Sequence, residues 1–245
     1  MISFATRSHV GNVREVNEDR LLVYEKNNYY LCAIADGMGG LAHGGMAAEI
    51  FVELAQQHLE KMVDEGVFPS KEFFRKLYEN TLARLNEEEK KQNSRLGTTA
   101  ALGIISPGGR LFYSWIGDSR IYLLKGGALK ALTEDHSVVQ ELVLKGLLSP
   151  QAARQHPARH VVSQALVSGF RLDHVEFKEL LLETGDLLLF CTDGLSEELT
   201  EPELAHHLLK KNKNLEELAD DLLKAALSGL ARDNISFILF YQGSP

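Results

Sequence analysis

Four aspartates stand where strongly apolar runs begin or end. Asp36 follows LCAIA, Asp118 follows LFYSWIG, Asp193 follows LLLFCT, and Asp233 stands just before ISFILF. Three of them touch a glycine, in Asp36-Gly37, Gly117-Asp118 and Asp193-Gly194. Turn chemistry explains any one of these steps, because a short carboxylate caps its own turn. Together they mean more. Strand ends of one sandwich converge, and carboxylates brought together repel unless a cation neutralises them. The set points to a metal site. Carboxylate and carbonyl oxygens suit Mg²⁺ or Mn²⁺. Zinc would recruit His or Cys, and the nine histidines show no HExxH spacing. GxSxG, Walker-type GxxxxGK[ST], CxxC and GxGxxG patterns are absent.

The elements that must position these acids follow from periodicity. Apolar residues 21–24 and 29–35 flank Glu25-Lys26-Asn27-Asn28 and read as a hairpin. After the glycine-dense turn 36–40, a helix carries Ala47, Ile50, Phe51, Leu54, Ala55, His58 and Met62 at three-and-four spacing. His58 on that stripe reads as a packed histidine. Ser70 caps a second helix with the stripe Phe74, Leu77, Tyr78, Leu82 and Leu85. Residues 98–105 and 111–116, then 121–124 and 128–132, read as two tight antiparallel hairpins around glycine pairs. From Ser137 to about Gly169 the pattern is helical but broken, with Ser149-Pro150 as a cap and first turn; it reads as a mobile insertion between sheets. Strands are expected at 175–182, 187–191 and 235–241, and capping boxes at Thr200–Glu203 and Asn214–Glu217 open two helices. Hairpins with paired helices between them predict an α+β fold of mainly antiparallel sheets covered by helices.

The 245 residues are 44% hydrophobic, with a net charge of −8, which excludes a disordered chain and disfavours nucleic acid as a partner. Cys32 and Cys191 lie inside apolar runs and read as reduced core residues. The first residues carry no apolar leader and no stretch reaches membrane-spanning length, so a cytoplasmic protein is expected. With no linker or repeat, one domain spans 1–245, and with no apolar helix left over, a monomer is expected.

Seven blocks in order carry a family resemblance: Arg14…Asn17-Glu18-Asp19-Arg20, Ala35-Asp36-Gly37-Met38-Gly39-Gly40, Gly97-Thr98-Thr99-Ala100, Gly117-Asp118-Ser119-Arg120, Thr133-Glu134-Asp135-His136-Ser137, Thr192-Asp193-Gly194-Leu195 and Arg232-Asp233-Asn234. The chain resembles the metal-dependent protein phosphatases of the type 2C or PPM family, closest to the compact bacterial serine/threonine phosphatases. The resemblance implies a four-layer α-β-β-α sandwich with two Mn²⁺ or Mg²⁺ ions in a cleft. It implies that Asp36 bridges the ions, that Gly37 offers its carbonyl, and that Asp193 and Asp233 complete the shell. Asp118 matches the residue that, with Asp193, holds a third, weaker ion. Glu18 and Asp19 match acids acting through metal-bound waters, and Thr192, Gly194 and Asn234 match orienting or turn positions. Arg14 matches the phosphate clamp, a task that suits the planar guanidinium fork; Arg120 and Arg232 read as partners of nearby carboxylates.

The implied reaction is hydrolysis of phosphoserine and phosphothreonine. Water between two divalent cations has its pKa lowered from ~15.7 towards neutrality, giving a hydroxide that attacks phosphorus in line without a phospho-enzyme. The implied partners are phosphorylated proteins and an opposing bacterial-type Ser/Thr kinase. A non-catalytic phosphoprotein-binding module and a hydrolase of small phosphoesters are the competing readings. Met38 stands where the eukaryotic pattern has a proposed general-acid His, Leu41 follows the second glycine pair, and His43 comes two residues later. His136 is read as fixing its loop. The stretch 138–169 matches the family's flap, and its Arg154, Arg159 and His160 are placed to meet a phosphopeptide.

Overall fold

The computed structural model describes residues 2–38, 44–173, 175–210 and 214–243. The chain opens with β1 (Ile2–His9), then the hairpin β2 (Arg20–Lys26) and β3 (Tyr29–Ala35), whose turn places Asn27 and Asn28 at positive φ. Two long helices follow, α1 (Gly44–Asp64) and α2 (Lys71–Gln92). Ser70 caps α2 by accepting from the Phe73 N–H, and Asn93 ends it in the left-handed conformation. The middle holds β4 (Gly97–Thr98), β5 (Ala100–Ile105), β6 (Arg110–Ile116), β7 (Arg120–Lys125) and β8 (Ala128–Ala131). The broken helical stretch resolves into α3 (Val138–Leu144) and α4 (Pro150–Gln155), the latter capped by Ser149 with proline in its first turn. Next come β9 (Leu166–Val167), β10 (Lys178–Leu181), β11 (Leu187–Cys191), α5 (Asp193–Glu198), α6 (Glu201–Leu208), α7 (Leu215–Leu227) and β12 (Ile235–Gln242). Both expected capping boxes are present.

Two five-stranded sheets form, ordered β1-β12-β11-β7-β8 and β10-β6-β5-β3-β2, and every adjacent pair is antiparallel. Alternate residues explain the layering. On β5, Ala100, Leu102 and Ile104 pack with Phe51, Leu59 and Phe74 of α1 and α2, while Ala101 and Ile105 face the other sheet. On β12, Phe237 and Leu239 join Leu218 and Leu222 of α7, while Ile238 and Phe240 point inward. Strands buried on both faces must be continuous apolar runs, as these are. The result is the expected four-layer α-β-β-α sandwich. His58 packs between the long helices, against Asn80 and the Phe73 ring. Both cysteines are buried and free, and no helix among the described residues is long and apolar enough to cross a membrane.

Four details differ from expectation. β1, β9 and α5 were not foreseen, and the strand expected over 175–182 is only β10. Val175 and Phe177 pack with the helix-side core, and the Glu176 carbonyl accepts the Ser114 hydroxyl at 2.5 Å.

Candidate metal centre

Register brings the acids to one edge. Ile34 pairs with Ala101 and Ala101 with Trp115, so Asp36 and Asp118 leave their sheet at the same end. Arg20 pairs with Ala35, which puts Glu18 and Asp19 beside Asp36. In the other sheet, Cys191 pairs with both Arg120 and Phe237, so Asp193 and Asp233 lie beyond one row, again with Asp118.

Local bonding fixes each backbone. The Asp36 N–H donates to Thr99 Oγ1 at 2.9 Å, and its carbonyl accepts from Thr98 Oγ1 and the Thr99 N–H, both at 2.9 Å. Gly37 must be glycine: a Cβ there would lie 2.3 Å from the Gly44 carbonyl oxygen and 2.7 Å from that of Glu18. Asp193 is the first residue of α5. Asn234 fastens the loop that carries Arg14 and Glu18, donating to the Val10 and Val16 carbonyls at 2.9 and 3.0 Å and accepting the Glu18 N–H at 2.8 Å. Asp19 Oδ2 accepts from Thr192 Oγ1 at 2.9 Å, which in turn accepts the Ser236 N–H at 3.1 Å.

The electrostatics are those of acids crowded without a counter-charge. Burial pushes Asp19 up to about 7 and Asp193 up to about 6, with neighbouring Asp233 adding to both. Burial likewise holds Asp36 and Asp118 well above the usual carboxylate range, and Asp193 is the largest coulombic contributor to each. Oδ1 of Asp19 and Oδ1 of Asp193 are buried with no hydrogen-bond partner. Buried carboxylate oxygens left unpaired are costly, and hard divalent cations satisfy such a donor set. Asp233 differs: its Oδ2 receives Arg14 Nη2 at 2.7 Å and its Oδ1 the Asn234 N–H at 2.8 Å.

The remaining expected residues fall into place unevenly. Arg120 pairs through both Nε and Nη2 with Asp135, at 2.7 and 2.6 Å. His136 Nδ1 accepts the Gly117 N–H, and its ring stacks on Trp115, so it fixes the loop. Met38 bonds through its N–H to the Gly97 carbonyl and brings no proton donor in its side chain. Gly39, Gly40, Leu41 and His43 lie outside the described residues. In the insertion, Arg154 donates to the Ser196 carbonyl at 3.2 Å and His160 Nδ1 lies 2.7 Å from Glu197 Oε1. A cleft of about 610 Å³ opens between the insertion and α5–α6, lined by Arg154, Arg159, Ser196 and Glu197 among others. Glu197 was not foreseen. Its signal is its position four residues after Asp193, which on a helix sets the two side chains on one face. Burial and Asp193 push its carboxyl up to about 7.

Residues 7–230 match the family model described as Protein phosphatase 2C. The chain is 32% identical over 240 residues to the serine/threonine phosphatase stp of Listeria monocytogenes, covering 95% of this chain and 93% of that protein. Its structure is similar to that of the serine/threonine phosphatase Stp1 from Staphylococcus aureus, with a TM-score of 0.90 and 25% identity over 100% of this chain and 96% of that one. It is also similar to the catalytic domain of the serine/threonine protein phosphatase PstP in complex with two manganese ions, with a TM-score of 0.82, 28% identity and 99% of each chain covered.

Proposed function

The chain belongs to the protein phosphatase 2C family, and we infer that its acidic crevice is where phosphoserine and phosphothreonine esters of proteins are hydrolysed. It is a metal-dependent serine/threonine phosphatase that takes two divalent cations, Mn²⁺ or Mg²⁺, as cofactors. The observation that carries the reading is the pair of orphaned, buried Oδ1 atoms on Asp19 and Asp193, in a crevice whose acids push one another's protons on.

Asp36, the Gly37 carbonyl, Asp193 and Asp233 would hold the two ions, with Asp118 and Asp193 offering a third, weaker position and Glu18 and Asp19 acting through water. When bound, the cations supply a hydroxide near neutral pH for in-line attack on phosphorus. The chain's own residues do the rest. Arg14, 47% exposed in its side chain, presents its fork to the equatorial phosphate oxygens. Thr98, Thr99 and Asn234 hold the backbones from which the acids project, so the site is organised before substrate arrives. The cleft beneath the insertion at 138–169 receives the protein around the phosphorylated residue. Strands from both ends of the chain share one sheet, which supports a single catalytic domain. The partners proposed are phosphorylated proteins, with a Ser/Thr kinase opposing a monomeric, cytoplasmic phosphatase.

Phosphate release from a phosphothreonine peptide, measured with and without Mn²⁺, tests the reading. Turnover that requires Mn²⁺ and is lost in Asp193→Ala is expected; undiminished turnover in that variant ends it. A higher rate on phosphoproteins than on a small aryl phosphate separates this function from general phosphoester hydrolysis.

A further inference from the structure

Around Arg14 the surface turns apolar. Val13 is 64% exposed, Val16 67% and Leu230 62%, three large hydrophobic side chains on the two segments that the Arg14–Asp233 pair joins. A single exposed apolar residue needs no explanation, but three on adjoining loops beside one site ask for a use. Hydrogen bonds hold the two segments together. The Asn12 N–H donates to the Ala231 carbonyl at 2.7 Å, and the Asn12 amide to the Leu227 carbonyl at 3.1 Å. Asn234 Nδ2 holds the Val10 and Val16 carbonyls, and the Leu230 N–H donates to Glu198 Oε2 at 3.0 Å.

Ala231 turns its neighbours outward. It is buried in a left-handed backbone, φ +41°, an uncommon conformation for a residue with a Cβ, while Leu230 and Arg232 on either side are exposed. The charges of Arg14 and Arg232 both act on His160 of the insertion, which sets the two arginines on one rim. A phosphate ester needs only Arg14 and the acids; the apolar side chains have a use when the substrate extends past its phosphate. Apolar side chains flanked by guanidiniums suit a peptide with an apolar residue and a carboxylate close to that phosphate. The local positive charge also offsets the repulsion that a chain of net charge −8 exerts on acidic segments.

We propose that Val13, Val16 and Leu230 form a ledge that receives an apolar residue next to the phosphorylated one in the protein substrate, with Arg232 pairing an acidic residue beyond it. The proposal rests on the reading above through Arg14. The ledge meets groups that do not react, so it binds ground state and transition state alike. Its loss therefore raises KM and leaves kcat in place.

The test measures kcat and KM with Mn²⁺ on the full chain for a phosphothreonine peptide with leucine on both sides and aspartates beyond, for the same peptide with serine in place of leucine, and for a small aryl phosphate. The wild type favours the leucine peptide about 3- to 10-fold in KM, the worth of half-burying one leucine side chain. Val13→Ser, Val16→Ser and Leu230→Ser each raise KM for the leucine peptide towards that of the serine peptide, and the ratio of leucine-peptide to aryl-phosphate turnover falls. Arg232→Ala raises KM for both aspartate-bearing peptides about 3-fold at low salt and less at high salt; an unchanged KM overturns that pairing. Equal KM for the leucine and serine peptides in the wild type, or a leucine preference that survives all three serine substitutions, overturns the ledge and leaves the phosphatase reading intact. A loss shared equally by peptides and aryl phosphate also overturns it, since the variants have then moved Arg14. A wild-type chain that releases phosphate from none of the three overturns both.

Discussion

Arg14 Nη2 lies 2.7 Å from Asp233 Oδ2, joining the residue proposed to clamp phosphate to one proposed to hold metal. With the Asn234 N–H on Oδ1, both oxygens of Asp233 are engaged by the protein. A cation arriving at Asp233 competes with the guanidinium for Oδ2, and Arg14, once displaced, is free to face the phosphate. Removing Arg14 therefore acts on two steps with opposite signs.

Arg14→Ala is expected to lower kcat/KM on a phosphothreonine peptide about 10- to 100-fold, the worth of charge-assisted hydrogen bonds to phosphate. Arg14→Lys restores part of this, since it keeps the charge but not the fork. Mn²⁺ binding by calorimetry should be unchanged or tighter in Arg14→Ala. Weaker Mn²⁺ binding would contradict the competition.

Asn234 offers a second test, because one side chain holds a whole loop. Asn234→Ala leaves the Glu18 N–H and two carbonyls of the 10–18 loop without their partner. Fully buried groups left unpaired cost about 1–3 kcal/mol each; these three are part-buried and water reaches them in part, so a total loss at the low end, about 3 kcal/mol in urea unfolding, is expected. Asn234→Asp keeps an acceptor for Glu18 but not the two donations, and should lie between. A stability equal to wild type would mean that water replaces the amide.

The parts of the fold that were legible are those whose local pattern and tertiary environment agree. β3, β5, β11 and β12 are buried on both faces, so their apolar runs announce them, and the capped helices carry clear stripes. β1 is an edge strand bonded only to β12, with Ser3 and Phe4 exposed, so its sequence lacks the apolar run that marks the others. Helix α5 has six residues, too few for a period, and begins inside an Asp-Gly step that resembles a turn. The acids were legible because each abuts a strand end. The approach of His160 to Glu197 was not, since it depends on how the insertion folds across α5, a contact with no local signature.

Gly194 tests how tightly the segments that carry Asp193 and Asp233 are wedged. A Cβ there would lie 2.0 Å from the Asn234 carbonyl oxygen, a backbone atom that cannot swing aside. Gly194→Ala must push the start of α5 away from the residue after Asp233. A stability loss of about 1–3 kcal/mol is expected, as for other overpacked sites. Misplacing Asp193 against Asp233 should also weaken Mn²⁺ binding about 10- to 100-fold, comparable to losing an orienting partner. A folded variant with unaltered Mn²⁺ affinity would show that the wedge does not set the acid positions.

The raised acids predict an unusual pH response in chelator-stripped protein. Asp19 rises to about 7 and Asp193 to about 6, against about 3.9 for an unfolded aspartate. Between those values the folded chain keeps protons that the unfolded chain has released, so these groups stabilise most below about pH 4 and the contribution is lost as pH rises towards 7. Each retained proton costs about 1.4 kcal/mol of stability per pH unit across that window. Asp19→Asn removes one such group and should flatten the slope relative to wild type in urea unfolding at pH 5, 6 and 7. Mn²⁺ replaces the protons, so its stabilisation should be largest near pH 7.5 and shrink towards pH 5, where protons compete for the same oxygens. Parallel wild-type and Asp19→Asn slopes, or a stabilisation by Mn²⁺ that does not change with pH, would show that these carboxyls are ionised in the folded chain before any cation binds.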